Sequence, residues 1–376
     1  MRHACRSLCA ATMFAIAGTA SAAEIEVMTQ NQYLGADIAP LIEAIGTPQF
    51  NDVLVDALRT IASSRSPERF IALAALITKR QPHVVGLQEV WEFRCLPAVP
   101  ELGGYPCNDP SIAGAFNDHL QGTMAALGSR YDDLAYVQNF TVESYFDGQD
   151  TYPGIPFFVN SVPAFLQVRD RDVILVRSDV PATKVALPCA RPSADGCNFD
   201  VDLPLGPLGS VERGFLAVDV TIGGTDYRVF NSHLEVQATA LIPGEVQAAQ
   251  ALQLIQTALG TTPAARKLVI VGDMNSDPRD PPSSLPTPYM LFQAAGLYDA
   301  WLLRPGNAPG MTCCQLEDLS NRVSLLNQRI DLVLTREMPR VKEMRLLGEV
   351  AADRTRPPGT GLWPSDHVSV AGRLQY

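Results

Sequence analysis

The sequence predicts a mixed α/β (α+β) globular chain, and three observations carry that prediction. Segments of helical and of strand pattern alternate along the chain, with no long low-complexity linker and no internal repeat. Hydrophobic residues make up 47% of the composition and charged residues 18%, a balance of folded rather than disordered chains. A length of 376 residues suits one large core or two ordinary domains, and the unbroken alternation favours a single domain over residues 23–376.

The first residues read as an export signal. Arg2 and Arg6 form a positive start, residues 8–17 an apolar stretch, and Ala20-Ser21-Ala22 a small-residue cleavage site, so cleavage is expected after Ala22. The apolar stretch falls short of the ~20 residues that span a bilayer. A soluble, secreted or periplasmic protein is therefore expected. Without Arg2 and Arg6, 27 basic residues face 40 acidic ones, a net charge of −13 against −11 for the whole chain. An acidic exterior repels nucleic acid and anionic lipid, because phosphate binding relies on Lys and Arg releasing counterions. Nucleic acid is thus the less favoured partner, although a local basic cleft is compatible with that charge.

The elements follow in order. Ser66-Pro67-Glu68 opens a helix, with Ser66 as N-cap and Pro67 at the first position, and Pro82 closes it. The apolar run 84–87 is a short buried strand that ends at Glu89. Residues 171–176 and 215–222 are strands, and 227–231 is another, ending at His233. Residues 245–258 form an amphipathic helix with Gly260 at its end, and 268–271 is a strand delivering Asp273. Thr287-Pro288 starts a helix that Gly296 stops, and 330–334 and 368–374 are the last strands. Two stretches look inserted. Residues 139–165 carry Phe140, Tyr145, Phe146, Tyr152, Phe157, Phe158 and Phe165, and residues 186–212 carry a cysteine pair with several prolines and glycines. Loops of such length are usually functional or disordered. The aromatic one would line a substrate site, touch a lipid surface, or simply pack onto the body.

Six cysteines remain after the signal. Cys95/Cys107 and Cys189/Cys197 each flank a short Pro- and Gly-containing stretch, which suggests two local disulfides in an oxidising compartment. The adjacent Cys313-Cys314 pair is open to a bridge to each other, a bridge to another loop, two buried thiols, or a metal or redox role.

Chemistry concentrates in Leu87-Gln88-Glu89, Asn231-Ser232-His233-Leu234, Gly272-Asp273-Met274-Asn275 and Ser365-Asp366-His367. Each sets a carboxylate, carboxamide or imidazole at the end of an apolar, strand-like run. With Asn31 and Asp331 they suit a divalent metal and a phosphate ester. A hard cation takes one or two carboxylates, with carboxamide, water and phosphate oxygens completing its shell, and Glu89 is the best candidate ligand. Asp273 and Asn275 lie two apart, so in an extended segment both face one side. The carboxylate can orient or deprotonate water while the amide donates to a phosphoryl oxygen, although alone the segment also reads as an Asp/Asn turn. Histidine is scarce, with five in the chain. His233 and His367 sit at strand edges, where an imidazole can protonate a leaving oxygen or stabilise phosphoryl charge. Asp331 could hold one imidazole in its working tautomer. His83 and His119 read as structural, and no spacing supports a three-histidine zinc site.

The order Asn31, Gln88-Glu89, Asn231-Ser232-His233-Leu234, Gly272-Asp273-Met274-Asn275, Arg329-Ile330-Asp331, Ser365-Asp366-His367 resembles the endonuclease/exonuclease/phosphatase superfamily. That group includes pancreatic-type deoxyribonucleases, abasic-site endonucleases, bacterial sphingomyelinases and inositol polyphosphate 5-phosphatases. The resemblance spans residues 26–376; any one motif is common, but the ordered set is specific. It implies a four-layer α-β-β-α sandwich, two central mostly antiparallel sheets flanked by helices, with the site at one edge. It also implies that Glu89 binds a catalytic Mg²⁺ (Mn²⁺ or Ca²⁺ being the alternatives), with Asn31 close to metal and phosphate and Asp366 beside the metal. His233 would donate a proton to the leaving group, and Asp273 and Asn275 would orient water and bind the phosphoryl oxygen. His367 would pair with Asp331 as general base or phosphate ligand.

Two departures bear on substrate. Trp91 stands where deoxyribonuclease-type members often carry a DNA-reaching arginine, and Tyr33 stands where abasic-site enzymes are acidic. Both are read as substrate contacts that turn the site away from DNA, although a core tryptophan would look the same. The expectation is an exported phosphodiesterase of sphingomyelinase or phospholipase C type, with a lipid surface as a further partner and no stable protein partner. A secreted nuclease is the alternative. An inactive binding protein would require loss of Glu89, His233, Asp273, Asn275 or His367, and all are present.

Overall fold

Runs of Val, Ile and Leu separated by turns assemble into two eight-stranded sheets in this computed structural model, which describes residues 23–237, 244–281, 285–356 and 361–376. The export signal expected over residues 1–22 lies outside the described residues. The first sheet runs Arg340–Leu347, Ser369–Gln375, Glu24–Asn31, Val84–Gln88, Val162–Arg177 and Glu92–Pro97, with Tyr131–Val142 and Ile155–Val159 also paired to the long strand Val162–Arg177. The second centres on Gly214–Ile222, Thr225–His233, Lys267–Asp273 and Asp331–Thr335. Pairing is antiparallel except between Glu24–Asn31 and Val84–Gln88, and between Thr225–His233 and Lys267–Asp273. Parallel neighbours need a crossover. Helices Phe50–Ser63 and Ser66–Arg80 supply the first, and helix Gly244–Thr261 supplies the second.

Alternation along each strand sorts side chains into layers. Val27, Val84, Ile174 and Val176 of the first sheet pack between the sheets against Val218, Val229, Val269 and Val333 of the second. The opposite face of the first sheet, with Met28, Val85, Leu87 and Leu175, is covered by Leu73, Ala74, Leu76 and Ile77 of helix Ser66–Arg80. Phe230, Ile270, Leu332 and Leu334 of the second are covered by Ala251, Leu254, Ile255 and Ala258 of helix Gly244–Thr261, with Phe292. The expected four-layer sandwich is therefore the observed one.

Several local expectations are corrected. Ser66 is the first helical residue and not the N-cap; the cap position is Arg65, at φ 53°, without a side-chain cap. The Ser66 hydroxyl instead accepts from Arg69 Nη2 at 3.2 Å. Helix Gly244–Thr261 runs through Gly260 rather than stopping there. Helix Pro288–Ala294 does start as expected, with Thr287 Oγ1 accepting from Met290 N. The stretch 139–165 is not a loop: it holds the hairpin Tyr145–Phe146/Thr151–Tyr152 and the strand Ile155–Val159. Its Phe140 and Phe157 are buried beside Leu54 and Leu58 of helix Phe50–Ser63, whereas Phe146 and Phe158 are 58% and 48% exposed. Residues 186–212 likewise carry short strands, among them Pro192–Ser193 and Gly196–Asn198. Disulfides join Cys95 to Cys107 and Cys189 to Cys197, with Cα–Cα distances of 5.6 and 6.0 Å, and Cys313 is bonded to Cys314. Among the described residues no helix is long and apolar enough to cross a membrane.

One buried carboxamide ties the sheets together at the edge that matters. Asn231 Nδ2 donates to the carbonyls of Leu87 (3.0 Å) and Val173 (3.1 Å), and its Oδ1 accepts from Gln88 Nε2 at 2.6 Å. Gly86 makes room for it. A Cβ there would lie 2.5 Å from Asn231 Oδ1 and 2.7 Å from Val271 Cγ2. Gly86→Ala is therefore expected to destabilise the fold by about 1–3 kcal/mol, as overpacked cores do. Urea unfolding measures it, and an unchanged midpoint would contradict so close an approach.

Candidate active site

Polar side chains that end apolar strands converge where the two sheets meet. Asn31 and Gln88 are register partners at the ends of their parallel strands. Glu89 follows at φ 54°, a left-handed conformation that turns the chain out of the sheet. In the second sheet His233 pairs with Asp273, and Asp273 pairs with Asp331. Asn31 crosses between the sheets, its Nδ2 lying 2.9 Å from Glu89 Oε1 and 3.1 Å from Asp273 Oδ2. Glu89 Oε2 also accepts from Leu34 N at 2.9 Å. Asp273 Oδ1 accepts from Asn275 N at 3.0 Å, a turn that brings the Asn275 amide to 2.9 Å from Leu234 O and 3.1 Å from His233 Nε2. His367 Nδ1 meets Asp331 Oδ2 at 2.8 Å, and its Nε2 lies 3.7 Å from Asp273 Oδ2. Ser365 Oγ donates to Asn31 O at 2.7 Å and accepts from His367 N, fastening the last motif to the first. Asp273, His233 and His367 are buried, while Glu89, Asn275 and Asp366 are half-buried and form the accessible side.

Electrostatics separate the two imidazoles. Burial disfavours charge on His367, but Asp331, Asp366 and Asp273 outweigh it and raise its pKa well above the ordinary value. Those carboxylates favour its imidazolium form. Burial, then the charges of Arg213 and His367, push His233 well below, so it is neutral. The carboxylates are crowded. Burial pushes Asp366 up to about 7 against the pull of His367, with Glu89 and Asp273 adding to the rise. Asp273 is raised by burial and by Asp331.

The expected residues therefore come together, apart from the two read as substrate contacts. Tyr33 borders the site at φ 61°: its N donates to Asn31 Oδ1 at 2.8 Å and its hydroxyl to Glu317 O at 3.0 Å, while its ring packs with Leu319, Leu362 and Trp363. Trp91 is a core residue, 8% exposed and stacked on Phe93 at 5.5 Å, so its position gives the substrate-contact expectation no support. His83 accepts from Glu26 N, and His119 is buried against Phe70, both structural as expected. Sequence reading missed two arginines, Arg69 buried and Arg213 half-buried. Arg69 donates to the carbonyls of Gln32 (2.7 Å) and Tyr33 (3.0 Å), holding the turn after Asn31. Arg213 places Nη1 2.8 Å from His233 Nδ1, with Glu235 and Asp170 behind it. A buried acidic pair was missed too: burial pushes Asp170 up to about 7 against Arg213, and raises Asp172 well above the carboxylate range with Asp170 adding to it. The alternation Arg169-Asp170-Arg171-Asp172 inside an apolar strand was the available signal.

The donor set fits a hard divalent cation. Glu89, Asp366 and Asn31 offer oxygens, the ligand chemistry such ions take, and Asp366 and Asp273 are raised chiefly by burial, with neighbouring carboxylates adding to the rise. Asp273, Asp331 and His367 also bring ligand atoms within 4.8 Å of one another, with His367 Nδ1 2.8 Å from Asp331 Oδ2.

Comparison with known proteins supplies the family and the fold. Residues 59–367 match the Endonuclease/Exonuclease/phosphatase family. Among solved structures, an endonuclease/exonuclease/phosphatase family protein from Bacteroides thetaiotaomicron superposes with a TM-score of 0.53 at 16% identity, covering 95% of this chain and 99% of that one. An endonuclease/exonuclease/phosphatase from Beutenbergia cavernae gives 0.52 at 18% identity, covering 94% and 72%. These likenesses are of fold. No curated protein sequence matches the chain.

The geometry makes Asp273 and His367 the two side chains whose truncation should cost most. Asp273→Ala and His367→Ala are each expected to lower turnover of a phosphodiester by about 10²-fold or more with folding intact. Near-normal rates in both, at wild-type circular dichroism, would sink the site assignment.

Proposed function

We propose that this chain, which belongs to the endonuclease/exonuclease/phosphatase family, is an exported Mg²⁺-dependent phosphodiesterase acting on a lipid-linked or small-molecule phosphodiester. The family makes it a metal-dependent phosphoester hydrolase. The observation that carries the reading is Asp273, which meets Asn31 and His367 from the first sheet and lies beside Asn275 and His233 of its own.

Glu89 and Asp366 would hold the ion, with Asn31 fixing Glu89 beside Asp273. A bound Mg²⁺ (or Mn²⁺ or Ca²⁺ in its place) would neutralise charge on the phosphoryl oxygens. The chain's own residues account for the rest. Asp273, with its raised pKa, is suited to orient the attacking water and accept its proton. The Asn275 amide can donate to a phosphoryl oxygen. His367 holds its proton against Asp331, which favours a phosphate-binding role over that of general base. Disulfides Cys95–Cys107 and Cys189–Cys197 support export to an oxidising compartment. The net charge of −11 and the exposed Phe146 and Phe158 favour a lipid-linked or small substrate over nucleic acid.

The test is a parallel assay, with Mg²⁺ and again with excess chelator. Substrates are supercoiled plasmid, sphingomyelin and phosphatidylcholine vesicles, inositol phosphates and an aryl phosphodiester. Chelator-sensitive cleavage of lipid or of the aryl diester, without plasmid nicking, is expected. Plasmid nicking alone would make this a secreted nuclease instead.

A further inference from the structure

The two imidazoles of the site have opposite partners. His367 presents Nδ1 to a carboxylate, the common arrangement for a catalytic histidine. His233 presents Nδ1 to Arg213 Nη1, at 2.8 Å. A guanidinium has five N–H donors and no acceptor. That contact is a hydrogen bond only if Nδ1 offers its lone pair, which leaves the ring proton on Nε2.

We infer that Arg213 is a positioning residue that fixes His233 in the Nε2–H tautomer, making it a neutral hydrogen-bond donor to the phosphodiester rather than a general acid. The fold works to deliver this side chain. Arg213 precedes Gly214, the register partner of His233, and adopts φ 44°, a conformation that non-glycine residues seldom take. Glu235, 3.5 Å from Nε and Nη2, flanks the far side of the guanidinium, and Asp170 lies 4.0 Å from Nη1. On the Nε2 side, the Asn275 amide nitrogen at 3.1 Å donates one N–H to Leu234 O, carries a second N–H and offers no lone pair, so it cannot accept from Nε2–H. The Asp273 carboxylate is the remaining acceptor, at a long 3.5 Å. The Nε2–H is thus weakly engaged and free to turn to a phosphoryl or leaving oxygen. Loss of that proton would leave an anionic imidazolate beside Asp273, so the ring stabilises charge without giving its proton away. A neutral imidazole used in this manner has precedent as an electrophile.

The inference rests on the phosphoesterase reading, and its test reads ring nitrogens as well as turnover. With five histidines in the chain, imidazole ¹⁵N labelling is tractable, and His233→Asn assigns the signals. At neutral pH, His233 is expected to show Nε2 protonated and Nδ1 bare. Arg213→Gln, whose amide oxygen can accept from Nδ1–H, is expected to shift the ring toward the other tautomer and lower kcat about 10²-fold, with KM changed less than about 3-fold. Arg213→Lys keeps a donor and is expected to keep the tautomer. An imidazolium or Nδ1–H signal in the unaltered protein overturns the inference, as does an unmoved tautomer in Arg213→Gln. The unaltered spectrum decides even if a variant does not fold. It needs no substrate, so it stands apart from failure of the activity reading.

Discussion

The Asn231 carboxamide is the contact on which the site depends. It sits on the second sheet, yet its three hydrogen bonds all go to the first, to Leu87 O, Val173 O and Gln88 Nε2. Apolar packing between sheets is non-directional and tolerates sliding. A buried carboxamide does not, because displacement strands donors and acceptors where water cannot reach them, at about 1–3 kcal/mol each. Glu89 follows the last residue of the strand that Asn231 holds, and His233 lies two residues beyond Asn231 itself. The same contact thus sets the distance between Glu89 on one sheet and His233 on the other.

Charge is then divided between those halves. Asp331 and its neighbouring carboxylates raise His367, while burial, with Arg213 adding to it, lowers His233, so two identical side chains a few ångströms from one carboxylate are pushed in opposite directions. Groups whose surroundings push their pKa values apart are the usual mark of assigned acid and base roles. Two arginines stand on opposite sides of this cluster. Arg69 holds backbone carbonyls near Asn31, and Arg213 holds an imidazole. Neither is exposed enough to bind a nucleic-acid backbone.

Much of this was legible in the sequence, for a physical reason. A polar residue that ends an apolar run marks a sheet edge, and Glu89, His233 and Asp273 each do so. Their order along the chain supplied the family and, through it, the layered fold. What was not legible depends on contacts distant in sequence. Arg69 reads as a solvated helix residue, and it is buried because the turn after Asn31 lies over it. Asp170 and Asp172 face inward because the second sheet brings Arg213 opposite them. Ser66 lost its capping role to Arg69, and the aromatic stretch 139–165 hid a strand behind proline and glycine content. Trp91 was ambiguous between substrate contact and core, and packing against Phe93 and Phe140 places it in the core.

The metal centre proposed at this joined sheet edge is built around Glu89. A calorimetric titration of Mn²⁺ into the unaltered protein and into Glu89→Gln tests it most directly. The substitution keeps size and hydrogen bonding to Asn31 while removing the charge. The account predicts a saturable site in the unaltered protein, weakened at least about 10-fold in the variant. Equal binding by the two proteins, or none by either, would contradict it.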